Sequence, residues 1–234
     1  MPRRGDARNT NDARAQAAYG VAEAARYLKL SPATLRSWTV GRPYPTASGT
    51  SHFRPLLELP LRKPPLLSFW NLVEAHVLRS LRTEHGVSVK DLRKALRYAE
   101  QELDIERLLL RRDLCIEAGR LFLERYGQLI ELSASGQLAM RRVFDEHLKR
   151  VEWDERQFPV RLYPFVASDS LDSSRPIAID PLVAFGRPVI QRGGISTGTI
   201  AERIDAGETV TELAGDYSLS EAEIEQAVLY ERAA

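Results

Sequence analysis

Residues 21–38, VAEAARYLKLSPATLRSW, decide how the first half of the chain is read. Val21, Ala24, Ala25 and Leu28 recur at i, i+3, i+4 and i+7, the spacing of one helical face. Lys29 and Leu30 form a short connection. Ser31 is a capping residue, and Pro32 takes the first helical position, where a missing N–H costs nothing. Leu35 and Trp38, three apart, pack back on the first helix, and Gly41, Pro43 and Pro45 end the second. Two short helices, a tight connection and a capped second helix form a helix-turn-helix pattern. Such a second helix enters the major groove with its N-terminal residues at base edges. With Leu35 and Trp38 inward, Ala33, Thr34, Arg36, Ser37 and Val40 face out. Arg36 has the reach for a phosphate or a guanine edge, and the hydroxyls of Thr34 and Ser37 suit phosphates or bases. Ser31, at the helix start, joins them as a contact candidate.

Residues 41–67 are irregular, with Pro, Gly and Ser throughout and one extended run, SHFRPLLEL. This predicts a wing followed by an edge strand, because Pro55 excludes a central one. Arg42, His52 and Arg54 belong to that wing and lie near a nucleic-acid backbone, with Tyr44 a weaker candidate. The charge agrees. The whole chain carries +1, but residues 1–99 hold 17 Lys and Arg against 7 Asp and Glu, a net +10, and residues 163–234 hold 5 against 12, a net −7. One end is suited to a polyanion and the other is not. The N-terminal segment is polar and basic without an apolar stretch, so it reads as a disordered arm over 1–18 rather than a secretory signal. Its Arg3, Arg4, Arg8 and Arg14 either add minor-groove and backbone contacts or are merely solvated.

Beyond the wing, a helix opens at Ser68 and runs to about Glu84, with Phe69, Leu72, Val73, Val77 and Leu81 inward. Ser88 and Asp91 form a capping box for a helix to about Leu103. RLFLER-YG-QLIEL at 120–132 reads as a hairpin about Tyr126-Gly127, a helix follows from Ser135 to about Lys149, and PVRLYPFV at 159–166 reads as a strand. The Ser- and Asp-rich stretch at 167–175 marks a domain boundary. After it come a short strand, IAI, a turn-rich stretch, and helices over about 197–206, 209–216 and 220–232, the last opened by a Ser220–Glu223 capping box.

Two segments carry a family resemblance. AYGVAEAARYLKLSPATLRSWTVGR resembles the start of a MerR-type helix-turn-helix. The C-terminal stretch IDPLVAFGRPVIQRGGISTGTIAERIDAGETVTELAGDYSLSEAEIEQAVLYE resembles the small domain known as domain of unknown function family 433. The resemblance lies in the turn Gly186, Pro188, Val189, Ile190; in Ile195 before a helix; in Leu213, Ala214, Asp216 and Tyr217; and in Leu219-Ser220 at the last helix. Together the ends are similar to a VapB-type antitoxin with an N-terminal MerR-like region. That resemblance implies a PIN-like ribonuclease toxin as partner, a toxin site of clustered carboxylates and a divalent metal, and repression of a shared promoter. GGIST stands where a Gly-Thr-Arg stretch is frequent, so no Arg is carried over from that turn, and Arg187 and Arg192 flank it. The acidic last helix, EAEIEQAVLYER, would repel phosphates through Glu221, Glu223 and Glu225. It suits toxin binding or dimerisation, with Ile224, Val228 and Tyr230 as contacts or, alternatively, as core.

Enzymatic readings have little to stand on. The chain has no phosphate-cradling Gly-Lys-Ser/Thr loop, no GxGxxG and no His-Glu-x-x-His. His52, His76, His85 and His147 are scattered, and the single Cys115 suits a small hydrophobe in a reducing cytoplasm, so no metal or cofactor is expected. Asp169, Asp172 and Asp180 stand in or beside a linker, a poor platform for paired acid–base work. The expected architecture is α+β and mainly helical. A winged MerR-like helix-turn-helix domain over 19–166 carries a small β-unit, a linker spans 167–175, and a three-helix C-terminal domain, also helix-turn-helix-like, spans 176–234. The expected function is that of a cytoplasmic, non-enzymatic, homodimeric antitoxin that binds double-stranded DNA and a toxin and does not enter a membrane. The alternatives are a ligand-responsive regulator without a toxin, and a protein-interaction scaffold.

Overall fold

Val21–Tyr27 forms helix α1 and Pro32–Thr39 forms α2 in the computed structural model, which describes residues 12–46, 49–83, 93, 96, 107–110, 148–165 and 175–233. The Glu23 carboxylate accepts from the Gly20 N–H at 3.3 Å at the start of α1, and Ser31 Oγ accepts from the Thr34 N–H at 3.2 Å at the start of α2. Ala24, Ala25, Leu28, Leu35 and Trp38 are buried, so the periodic face is the one that packs.

The wing region is more regular than its composition suggests. Strands β2 (Arg42–Thr46) and β3 (Gly49–Phe53) form an antiparallel hairpin in register from Arg42↔Phe53 to Thr46↔Gly49. Pro43 and Pro45 are accommodated because a two-stranded ribbon leaves outer N–H positions unused. Gly41 turns the hairpin back on α2 at φ +84°, where an added Cβ would sit 2.2 Å from the Phe53 carbonyl oxygen. The extended run stops at Phe53, and the Leu56 and Leu57 N–H groups bond to the Trp38 carbonyl at 2.7 and 3.0 Å. In place of the expected edge strand there is a short hairpin, β4 (Leu61–Arg62) and β5 (Pro65–Leu67), which pairs with β1 (Tyr19–Gly20) in the order β1-β5-β4.

Helix α3 (Phe69–Thr83) opens on a reciprocal cap: the Ser68 N–H donates to Asn71 Oδ1 at 3.0 Å, and the Asn71 N–H donates to Ser68 Oγ at 3.2 Å. From 69 to 79 it is buried on every side, polar residues included. Glu74 is held by Arg107 at 3.0 and 2.8 Å and by Asn71 Nδ2 at 2.8 Å, which is how a buried carboxylate is tolerated. Arg79 donates to the Leu28 carbonyl at 2.8 Å, and His76 stacks on Phe165 with ring centroids 5.8 Å apart. Residues 12–18 are built onto this domain. Arg14 bonds Asp12 at 2.6 Å and Asp154 at 2.8 Å, and its guanidinium lies over Trp70.

Strand β7 (Pro159–Leu162) pairs with β6 (Val151–Trp153), which the sequence reading missed because three residues give little period. Leu162 and Ile179 exchange backbone hydrogen bonds at 3.0 and 2.8 Å, joining this hairpin to β8 (Ile177–Ala178), which pairs with β9 (Val189–Ile190). Helices α4 (Thr197–Asp205), α5 (Val210–Tyr217) and α6 (Glu221–Arg232) follow within a residue of their predicted bounds. Their core is Ile177, Ile190, Ile200, Leu213, Leu219, Ile224, Ala227 and Tyr230. The architecture is α+β, as expected. The expected helix at 88–103, the hairpin at 120–132, most of the helix at 135–149, most of the 167–175 linker, Cys115, His85 and His147 lie outside the described residues. Among the described residues, no helix is long and apolar enough to cross a membrane.

Candidate nucleic-acid interface

The outward face of α2 carries the residues the sequence singled out. Arg36 is exposed, Thr34 and Ser37 are half-buried at the helix surface, and none of the three is inside the fold. Their hydrogen bonds decide what each can offer. The Ser31 and Thr34 hydroxyls share a hydrogen bond at 2.8 Å, and each can serve as donor or acceptor in it. Ser37 Oγ donates to the Thr34 carbonyl at 2.8 Å, which spends its proton on the helix and leaves an acceptor. Ser37 therefore suits a base amino group rather than a phosphate, since phosphates need donors. Arg36 makes no side-chain hydrogen bond or ion pair among the described residues.

On the wing, strand register separates the candidates. Arg42 pairs with Phe53, and His52 pairs with Pro43, so Arg42 and His52 lie on opposite faces of the ribbon. Tyr44 stacks on Phe53 with centroids 4.1 Å apart, and the Arg42 guanidinium lies 5.4 Å from the Phe53 ring, which gives one aromatic, cationic face. His52 and Arg54 are exposed. Arg14, which the sequence offered to DNA, is committed to Asp12 and Asp154 and braces β6–β7 instead. These pairings lower the pKa of Asp12. Arg3, Arg4 and Arg8 lie outside the described residues.

The C-terminal candidates divide as well. Ile224 is 0% exposed and Tyr230 is 1% exposed, so both belong to the chain's own interior rather than to a contact surface. Val228 is half-buried against that core. Arg192 is exposed, donates to the Ser218 carbonyl at 2.5 Å and lies 3.9 Å from Glu223. Arg187 is exposed and has no side-chain partner among the described residues.

Tyr230 is buried because α6 docks on α1, a contact the sequence reading did not foresee. The Tyr230 hydroxyl donates to the Tyr27 carbonyl at 2.9 Å. Lys29 donates to the Tyr230 carbonyl and stands 3.9 Å from the centre of its ring. Arg26 pairs with Glu231 at 3.1 Å. Burial lowers the Lys29 pKa to about 8, against the opposing pull of Glu231. Burial raises the Tyr230 and Tyr27 phenols above their ordinary range. Lys29, read only as a connection, takes φ +52° and reaches α6 from the α1–α2 turn. A long cationic side chain in so short a turn was the available signal.

Comparison with known proteins adds an independent line. Residues 177–230 match the family described as "Protein of unknown function (DUF433)". The chain is 24% identical over 229 residues to "Putative antitoxin VapB45" of Mycobacterium tuberculosis, spanning 90% of this chain and 92% of that one. The crystal structure of Rv2018 from Mycobacterium tuberculosis superposes with a TM-score of 0.65 at 21% identity, covering 91% of this chain and 98% of that one. The fold is thus shared with that structure along nearly the whole length, and the sequence is similar to that of a protein named as a putative antitoxin. The structural likeness concerns the fold alone.

Proposed function

We propose that this chain is the antitoxin of a type II toxin–antitoxin system, which neutralises a PIN-like ribonuclease toxin and represses its own operon. In this reading the segment 19–166 is a winged, MerR-like helix-turn-helix domain. The α2 helix lies in the major groove, and the β2–β3 ribbon lies along the backbone. Residues 167–175 link it to the toxin-binding domain at 176–234. The protein works in the cytoplasm as a homodimer on a two-fold operator, since a single module of this size gives limited affinity. It does no chemistry of its own.

The observation that carries the DNA reading is the outward display of Thr34, Arg36 and Ser37 on a capped helix next to a cationic ribbon. The toxin reading is supported by the antitoxin likeness over nine-tenths of the chain. The test is a gel shift on the chain's own promoter beside a pull-down with the protein encoded next to it. Arg36→Ala is expected to weaken promoter binding by about 1–3 kcal/mol and to leave toxin binding unchanged. An unaltered gel shift removes α2 as the recognition helix. Failure to bind the neighbouring protein removes the antitoxin reading.

A further inference from the structure

The loop between β8 and β9 presents apolar side chains to water in a way folding alone does not explain. Phe185 is 94% exposed and Leu182, three residues earlier, is 82% exposed, while the other exposed large hydrophobics among the described residues stand at 54% or less. The backbone beneath them is left-handed for three residues in succession: Ala184 at φ +48°, Phe185 at +57° and Gly186 at +76°. Alanine and phenylalanine are disfavoured there, and such conformations persist only where the surroundings impose them.

The surroundings do impose them. Asp180 Oδ1 accepts from the Leu182 N–H at 2.9 Å, and Arg161 fixes Asp180 from the other side at 2.9 Å. The Gly186 and Arg187 N–H groups close onto the Val183 and Ala184 carbonyls at 2.9 and 3.1 Å. Gly186 lies under the Tyr19 hydroxyl, so close that an added Cβ would stand 2.0 Å from it. The loop is therefore anchored at both ends, and its result is a rigid projection of Leu182 and Phe185. A rigid aromatic beside an arginine is the composition of an interface hot spot. Arg187 supplies that arginine, exposed and without a side-chain partner among the described residues, whereas the Asp180 carboxylate is turned inward. The projection is thus apolar at its tip and positive at its border.

We propose that Leu182, Phe185 and Arg187 form the docking knob for a protein partner whose surface offers an apolar pocket bordered by carboxylates. The inference rests on the antitoxin reading, in which that partner is the toxin. It extends that reading by moving the contact from the α6 stripe to this loop. Rigid presentation means that little conformational freedom is lost on binding.

The experiment measures binding of the full chain to the purified, unaltered protein encoded beside it, by titration calorimetry with sedimentation analysis of each species. Phe185→Asp is expected to weaken binding at least about 30-fold, and Arg187→Glu about 10-fold, while gel shifts on the promoter stay unchanged. Phe185→Gly is expected to weaken binding as well and to raise the melting temperature by roughly 2–4 °C, since glycine takes the left-handed conformation without strain. That pairing separates loss of contact from loss of fold. Wild-type binding with no effect of Phe185→Asp overturns the knob and leaves the antitoxin reading intact. No binding by the wild-type chain overturns both. If Phe185→Asp converts a dimer to a monomer without changing toxin affinity, the occupant is a second copy of this chain, and the proposal is likewise overturned.

Discussion

Replacing Tyr230 by Phe removes one oxygen atom and almost no packing, so it isolates the hydrogen bond that joins the last helix to the first. The Tyr230 hydroxyl donates to the Tyr27 carbonyl at 2.9 Å in a site where Tyr230 is 1% exposed. Tyr27 is the last residue of α1, so its carbonyl is among those a helix leaves unpaired. Without the hydroxyl, a buried acceptor loses its partner, at a cost of about 1–2 kcal/mol. With a urea slope of about 2–3 kcal/mol/M, the unfolding midpoint falls by roughly 0.5 M. The ring stays, and with it the Lys29 contact 3.9 Å from its centre. Tyr230→Ala also empties the ring's site and is expected to cost about 3–5 kcal/mol. The assay has a useful asymmetry. All three tryptophans, Trp38, Trp70 and Trp153, lie in or against the N-terminal core, so fluorescence reports that core alone. A change in α6 that shifts the fluorescence midpoint therefore demonstrates coupling between the two modules. If Tyr230→Phe leaves the fluorescence transition in place while a separate circular-dichroism transition moves, the docking contact does not couple them and the argument fails.

Other substitutions test other parts of the same construction. Gly186→Ala places a methyl group 2.0 Å from Tyr19 Oη at φ +76°, against a tyrosine that is itself in the core, and should cost about 3 kcal/mol in urea unfolding; adding Tyr19→Phe should recover part of that loss. Lys29, with its folded pKa at about 8 and an unfolded value near ~10.4, binds fewer protons folded than unfolded between those limits. Its contribution therefore grows as pH rises through that window, and the stability gap between wild type and Lys29→Met should shift in favour of wild type from pH 7.5 toward about 9.5. A gap independent of pH would place Lys29 in water. Finally, the plot of log affinity for promoter DNA against log salt should have a slope of about −3 per protomer, one phosphate for each of three exposed arginines at about −0.9 each. A slope near −9 would mean that the whole basic half takes part.

How much of this was legible beforehand depends on whether the signal was local. The α1–α2 pair, the Ser31 and Ser220 caps and the three C-terminal helices were readable because capping and 3.6-residue periodicity act within a few residues of one another. Strands β4, β5, β6 and β9 were lost because two or three residues cannot display a period of two, and their existence depends on partners distant in sequence. The burial of α3 on all sides was not legible, because Glu74, Arg79 and His76 find their partners only when Arg107, the Leu28 carbonyl and Phe165 are placed against them. The outward set on α2 was legible for the same local reason as the helix itself. That the Ser37 hydroxyl spends its proton on the helix was not, because that depends on its bond to the Thr34 carbonyl. Tyr230 fitted two patterns, core and contact, with core the commoner for such a stripe, and the position of Tyr27 and Lys29 separates them.

The charge split between the ends also changes meaning once the partners are known. Of the cations in the basic half, Arg14 is spent on Asp12 and Asp154, Arg26 on Glu231, and Lys29 on the Tyr230 carbonyl and ring. Two of these hold the acidic module itself, so part of the +10 and −7 asymmetry is complementarity within one molecule rather than a field offered to a polyanion. What is left in the open around the candidate interface is Arg36 on α2, with Arg42 and Arg54 on or just after the ribbon. The same bonds that remove Arg26 and Lys29 from any nucleic-acid surface fix the last turn of α6 to the helix pair that carries Arg36. A change in how α6 sits must then alter either the Lys29 turn or the Tyr27 end of α1, and with it the seating of α2. On the proposed reading, binding at the two ends of this chain is linked in part through a contact of five residues: Arg26, Tyr27 and Lys29 with Tyr230 and Glu231. If both sites bind as proposed, reciprocity requires that a partner which strains that contact weaken DNA binding by the same factor by which DNA weakens the partner's.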